Sequence, residues 1–276
     1  MLILLLAPES RKLWSESHGI GISAPQGWKI LHRDRGETSI VIEGPQLGQG
    51  VPHVELRRVA SADGGDLATV TTKLVEGVTK RPGWRVTARV RKRIGPWPAE
   101  RIGLAFTTEG GLKGRARFTV ALIGAHYFVL EMSGAANGFP AGAFDRMEQS
   151  LETRWSKREL TGLGRIEVPA AWTVTGEGAK LEVVAPALGG VHCSMRISPA
   201  PEGPPRVDGT RPGPKLKLLG KSRETLETKE PVEGDVRAVL VRAEGWQVVL
   251  FLSDATREDL LPVFQEILAR ARKAKP

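Results

Sequence analysis

The residue types that most often do chemistry are sparse in this chain, and their spacing is poor. The five histidines, at 18, 32, 53, 126 and 192, form no H-x-x-x-H or H-E-x-x-H pair, the spacing that sets two metal ligands on one helix face. His53 and Glu55 stand two apart, so on a strand they share a face, and a metal there would need a third ligand from elsewhere. The single cysteine, Cys193, excludes an internal disulfide and a thiolate zinc site. Its neighbour His192 points to the opposite face of a strand, so the thiol reads as a small buried hydrophobe. No G-x-S-x-G elbow occurs, and the glycine-rich stretches 44–50 and 110–114 lack the G-K-[ST] ending of a phosphate-cradling loop. No carboxylate pair stands out by spacing. The reading is a non-enzyme with neither cofactor nor metal.

What remains is binding chemistry, and it is cationic. Residues 80–117 hold eleven basic and two acidic residues, Glu100 and Glu109, so 11 − 2 = +9, the net charge of the whole chain. Arg85, Arg89, Arg91 and Arg93 occupy odd positions, and Val86, Ala88 and Val90 occupy even ones. On a strand this alternation puts the arginines on one face and the aliphatics on the core side. Arg115 and Arg117 repeat the pattern opposite Ala116 and Phe118, and Arg101 lies on the strand between. The expectation is one exposed sheet face gathering all seven arginines. Guanidinium forks match carboxylate and phosphate, which implies an acidic partner; the bland reading is the wet face of an antiparallel sheet. Trp97, between Pro96 and Pro98, reads as an indole held stiffly beside them, as a ligand contact or as hairpin packing. No aromatic residue lies within 85–93, which leaves nucleic-acid stacking without support there.

These residues need a scaffold, and composition bounds it. The 276 residues are 41% hydrophobic and 26% charged, as in a globular protein, and their number suits about two domains. No apolar run approaches the ~20 residues of a membrane-spanning helix. The opening MLILLLA is short for a secretory signal and has no basic residue before it. It reads equally as the remnant of an export signal and as an apolar end packed on the body, so location stays open between export and cytoplasm.

Strands are expected over 20–24, 39–43, 53–60, 84–94, 99–107, 114–123 and 127–132. Asp66 caps a helix in which Leu67, Val70, Leu74 and Val78 share a face, and Pro82-Gly83 stops it. A closing helix covers 141–154.

The chain also repeats itself. Pro25 and Trp28 match Pro169 and Trp172 at an offset of 144; Pro45, Leu47 and Gly48 match Pro186, Leu188 and Gly189 at 141; His53 matches His192 at 139; and 144–151 matches 261–268 at 117. The falling offset fits duplication followed by loss of 144 − 117 = 27 residues. The second copy replaces the helix at 66–78 with 199–214, where six prolines forbid one.

The strand, the I-S-A-P-Q-G-W turn at 22–28, the R-I-G-P-W-P-A stretch at 93–99 and the terminal helix with Phe144 resemble the PsbP-like fold, which includes photosystem II PsbP, DcrB and type VI effector chaperones. The resemblance covers most of 19–155 and part of the second copy. It implies an α+β protein of two tandem PsbP-like domains, each an antiparallel sheet packed with helices on one side, the second reduced. The bounds expected are 1–15 for the apolar end, 16–157 and 161–273 for the domains. A binding or scaffold role follows from the resemblance, with a protein or other acidic partner. The alternatives are a cytoplasmic chaperone whose concave sheet shields a client's apolar helices, and anionic-polymer or nucleic-acid binding through the arginines.

Overall fold

The computed structural model describes residues 10–47, 50–62, 65–188, 190–205 and 208–274. The run Met1–Ala7, Gly48 and Gly189 of the repeat, and Gly64 lie outside the described residues. The chain divides into two compact units, Met1–Thr153 and Arg154–Pro276.

The first unit runs β1 (Arg11–Ser15), β2 (Ile20–Ala24), β3 (Lys29–Arg35), β4 (Thr38–Glu43), β5 (His53–Ser61), α1 (Leu67–Thr79), β6 (Arg85–Ile94), β7 (Trp97–Thr107), β8 (Lys113–Ile123), β9 (His126–Ala135), α2 (Ala141–Gln149) and β10 (Glu152–Thr153). Arg11–Ser15, set outside the first domain by the sequence reading, belongs to it. It pairs with β2 along its whole length, and Leu13 and Ser15 are fully buried. A small sheet of order β1-β2-β10 stands beside a seven-stranded antiparallel sheet of order β3-β4-β5-β9-β8-β7-β6. Helix α1 starts where expected, the Asp66 carboxylate accepting from the Thr69 N–H at 2.7 Å.

Cross-strand partners share a sheet face. One row reads Val90, Arg101, Thr119, Leu130, Leu56, Ile40. The next, on the other face, reads Arg89, Ile102, Phe118, Glu131, Glu55, Val41, His32. Helix α2 lies over the first face, where the Thr119 hydroxyl donates to Glu148 at 2.5 Å. Helix α1 lies over the second, where Arg89 donates to the Thr72 hydroxyl at 3.5 Å. The expectation of helices on one side is therefore corrected: both faces of this sheet are apolar in its middle, and each has its own helix.

The second unit runs β11 (Trp155–Leu160), β12 (Gly164–Pro169), β13 (Thr173–Thr175), β14 (Leu181–Val184), β15 (Ser194–Pro199), β16 (Thr210–Pro212), β17 (Leu216–Leu218), β18 (Lys221–Arg223), β19 (Leu226–Thr228), β20 (Val236–Ala243), β21 (Trp246–Ser253), α3 (Arg257–Ala269) and β22 (Arg272–Lys273). Residues 158–160, left between the two expected domains, lie in strand β11, which pairs with β12. The sheets have orders β11-β12-β22 and β13-β14-β15-β21-β20-β19-β16, the strand order of the first unit in both cases. No hairpin of the sheet is lost outright. Strands β16 and β19 are cut to three residues each. Among the described residues no helix joins β15 to β16, as the prolines of 199–214 require. Pro212 sits within β16, which tolerates it as the edge strand. Hairpin β17–β18 buries Leu216 and Leu218.

Local bonding repeats as well. In the first unit Gly44 N–H donates to Pro52 O at 2.8 Å, and Leu47 and Gly50 exchange bonds of 2.9 and 3.3 Å. In the second, Ala185 donates to Cys193 at 2.9 Å, and Leu188 and Val191 exchange bonds of 3.0 and 3.1 Å. Every one of these pairs is offset by 141. That offset places His192 opposite Val51, so the match of His53 with His192 is corrected. Trp28 meets Phe144 edge-on, centroids 6.1 Å apart at 68°, and Trp172 meets Phe264 at 5.2 Å and 68°. The contact pairs Phe144 with Phe264 at an offset of 120, in place of the 117 read from sequence.

Candidate functional site

The seven arginines do not form one face. Arg89 projects on the α1 side, in the row of Ile102, while Arg101 projects on the α2 side, in the row of Thr119. Arg91 and Arg93 lie on the face of Arg89, and Arg117, opposite Gly103, lies on the face of Arg101. Alternation within β6 holds, but its premise fails. Strand β6 is the edge of the sheet, and its aliphatics have no core to enter: Val86 is 39% and Val90 54% exposed. A register shift between Val86 and Ala88 also turns Arg85 to the face of Arg115, two strands away, with Ala105 between them. Charge along a long edge strand discourages pairing with another chain, which is a structural use of these residues.

Four cations of the run are spent on internal acids. Arg89 holds Glu100 in a two-pronged pair, its second prong at 3.2 Å. Glu148 of α2, its side chain fully buried, takes Lys92 Nζ at 2.6 Å and Arg101 Nε at 3.1 Å. Arg101 also reaches Asp145 at 3.0 Å, and Arg117 reaches it at 2.7 Å. Burial alone would raise the Glu148 pKa; hydrogen bonds from Arg101, Lys92 and Thr119 outweigh it and hold the carboxyl below its ordinary value. These contacts pin α2 to the sheet. Arg93 turns back to the Pro96 carbonyl at 2.6 Å. Trp97, read as a ligand contact or as hairpin packing, is 2% exposed: it opens β7 opposite Ile94 and enters the core, which leaves packing. Among the described residues no group of His, Cys, Asp and Glu could hold a metal, so His53 and Glu55 gain no third ligand. Cys193 is buried, its sulfur 3.3 Å from the Thr256 hydroxyl.

The second unit presents a different surface. Its sheet buries Val239, Val241, Val248, Leu250, Met195 and Ile197 on one face. Glu227, opposite Val239, meets Arg257 of α3 there, with one prong at 3.1 Å. Among the described residues the other face has no helix. A row across all seven strands reads Thr175, Glu182, Arg196, Val249, Leu240, Leu226, Pro212. Val249, Leu240 and Leu226 are half-buried, as is Phe251 in the next row. In the first unit the corresponding strands carry Ile102, Phe118 and Val120, all at or below 1% exposure under α1.

Two concavities occupy this face and share Gln247 and Val249. One, of 470 Å³, reaches Phe251, Arg196 and Lys180. The other, of 500 Å³, reaches Leu226, Leu240 and Arg242, and is walled by Pro201 and Pro204 of the loop that stands in the place of α1. Arg196 is paired with Glu182 at 2.9 Å. Arg242 donates to Gln247 at 2.8 Å and to the Gly203 carbonyl at 2.9 Å, and among the described residues neither it nor Lys180 meets a carboxylate. The sequence signal for this face was the proline run of 199–214.

No family model matches the chain, and no curated protein matches it. Solved structures do. Cyanobacterial PsbP of Synechocystis is 11% identical with a TM-score of 0.41, over 56% of this chain and 98% of that one. LpqN of Mycobacterium tuberculosis, described as involved in cell envelope biogenesis, is 15% identical with a TM-score of 0.40, over 53% and 92%. A Bacteroides thetaiotaomicron protein is 14% identical with a TM-score of 0.38, and this chain spans 53% of its length. The family named from the sequence motifs thus recurs among them. Likenesses of this depth assign neither activity nor partner.

Proposed function

We propose that the chain is a non-enzymatic binding protein built from two copies of one domain, and that the second copy takes an amphipathic helix of another protein on its bare sheet face. The observation that carries this is the contrast between equivalent faces. Where the first unit lays α1 over Ile102, Phe118 and Val120, the second leaves Leu226, Leu240, Val249 and Phe251 half-exposed in two adjoining hollows. The shared strand order and the offset-141 hydrogen bonds support duplication. Burying apolar area at roughly 25 cal/mol per Å² favours a cover. The cover that this sheet is built to accept is a helix with apolar residues at i, i+3, i+4 and i+7, as in α1. Lys180 and Arg242, one lining each hollow and neither meeting a carboxylate among the described residues, suit a helix with acidic flanks. This is the client-shielding alternative raised by the sequence.

The test is a titration of the full chain with a designed, acidic amphipathic helical peptide. Binding is expected in the micromolar range, and Leu240→Glu with Val249→Glu should abolish it while the melting temperature stays within a few degrees. A peptide that does not bind, or binds the double variant equally, removes the proposal.

A further inference from the structure

The two seven-stranded sheets end in four edge strands, β3 and β6 in the first unit and β13 and β16 in the second. An edge strand offers unpaired N–H and C=O groups to any passing chain, and three of the four are blunted. Strands β13 and β16 have three residues each, and β16 ends in Pro212. Strand β3 is broken by a bulge between Ile30 and His32. Strand β6 is the exception. It has ten residues, all of them exposed from Arg85 to Arg91. Its register shift lies between Val86 and Ala88, and from there it pairs without a break to Ile94.

What β6 carries instead is charge. Five of its ten residues are cationic and none is acidic. Antiparallel pairing with a second copy of itself would set cation against cation, and like charges directly opposite are destabilising. The same charge invites an acidic strand. Arg89, Arg91 and Arg93 project on the α1 side, and Ala88 and Val90, the latter 54% exposed, project on the other. Arg89 already holds Glu100, and Arg93 donates to the Pro96 carbonyl at 2.6 Å. A guanidinium has five N–H donors and can serve a second acceptor.

We propose that β6 pairs with an acidic, extended segment of another protein, which adds an eighth strand to this seven-stranded sheet. The segment's backbone bonds to the open side of Ala88–Ile94. Its acids stand at alternate positions and meet Arg89, Arg91 and Arg93, and the small aliphatic residues between them lie against Ala88 and Val90. The open ladder is the reason to favour a peptide over nucleic acid or a membrane. Charge alone would serve all three, whereas a row of backbone donors and acceptors is matched by another backbone. The proposal is independent of helix binding by the second unit, since it uses a different sheet.

The test is fluorescence anisotropy of a short labelled peptide that alternates glutamate with valine, titrated with the full chain. Successive N–H groups of a strand point to opposite edges, and only one edge of the peptide is paired. Methylating one alternate set of its backbone nitrogens should therefore weaken binding at least tenfold, and methylating the other set less than threefold. A peptide of the same composition, with its glutamates and valines in separate blocks, should bind at least tenfold more weakly. Arg91→Glu with Arg93→Glu should weaken binding at least tenfold while the native circular dichroism spectrum is kept. Lys157→Glu with Arg158→Glu, the same charge change on exposed residues of the second unit, should change it less than threefold. Amide exchange in β6 should slow on binding, with β20 and β21 unchanged. Equal binding of the two methylated peptides, of the block and alternating peptides, or of the two charge-reversal variants would reduce the effect to charge and overturn the proposal. So would an absence of binding at millimolar peptide, or binding that leaves exchange in β6 unslowed.

Discussion

The two units share a strand order and differ in what lies on the sheet. In the first, α1 and α2 cover opposite faces. In the second, α3 covers one face, and Pro201 and Pro204 of a proline-rich loop border the other. The same difference shows in how each terminal helix is pinned. In the first unit the buried acid, Glu148, is on the helix and the cations are on strands. In the second the buried acid, Glu227, is on a strand and the cation, Arg257, is on the helix. Both carboxyls are held below their ordinary pKa, Glu148 against burial by three hydrogen bonds, and Glu227 chiefly by Arg257. The interaction is kept while its polarity is reversed. What is not kept is α1, so the second sheet retains a half-buried apolar row with no helix over it among the described residues.

The largest effect expected from breaking this comparison is at Glu148. Glu148→Ala would leave Lys92 without its carboxylate and Arg101 with Asp145 alone, at a cost of about 3 kcal/mol. Amide exchange should accelerate in β6–β9 and leave β20–β21 unchanged. The stability that Glu148 contributes is present above its unfolded pKa, because its folded value is the lower one. It is lost as pH falls through that folded value, and a pH series of the first unit's exchange should show this loss in the wild type and not in the variant.

Next come the turn tryptophans. Trp172→Ala, at 4% exposure against Phe264, should cost about 3 kcal/mol. Trp28 is only half-buried against Phe144, so Trp28→Ala should cost less than Trp172→Ala in paired urea titrations. Equal costs would mean that the two contacts carry the same load despite their different burial.

A smaller effect, of opposite sign, is expected at Glu131. It stands directly across from Glu55, and burial raises its pKa, with the Glu55 charge adding to the rise. A raised folded value means that stability falls as pH climbs from the unfolded value through the folded one. Glu131→Gln should therefore stabilise the first unit at neutral pH by up to about 1 kcal/mol, with the gain vanishing in acid where both carboxyls are protonated. Thermal melts at pH 4 and pH 7 check it. Arg85→Ala, which breaks no pair, should stay within about 0.5 kcal/mol of wild type.

Much of the first unit was legible because its signals are local. Asp66 before Leu67, Val70 and Val78, and the glycines between apolar runs, specify α1 and the hairpins without reference to the rest. The proline run predicted the missing helix of the second unit. What could not be read was lateral order. Alternation in 85–93 fixes two faces, but only the sheet order reveals that β6 is an edge, where an aliphatic face gains no burial. Trp97 was left between two readings for a similar reason: flanking prolines stiffen the turn, yet the pairing of Ile94 with Trp97 decides which way the indole points. Ion pairs such as Lys92–Glu148 join residues 56 apart, and nothing in either segment announces the other. The repeat was visible through Pro25, Trp28 and their matches, while its register needed the paired hydrogen bonds.

The central claim is that the second unit's sheet lacks the cover that α1 gives the first. Chemical-shift mapping of the full chain with an acidic amphipathic helical peptide tests it most directly. The account predicts saturable shifts at Leu226, Leu240, Val249 and Phe251, with Ile102, Phe118 and Val120 unmoved. Shifts centred on the α1-covered residues, or none on the bare face at millimolar peptide, would contradict it.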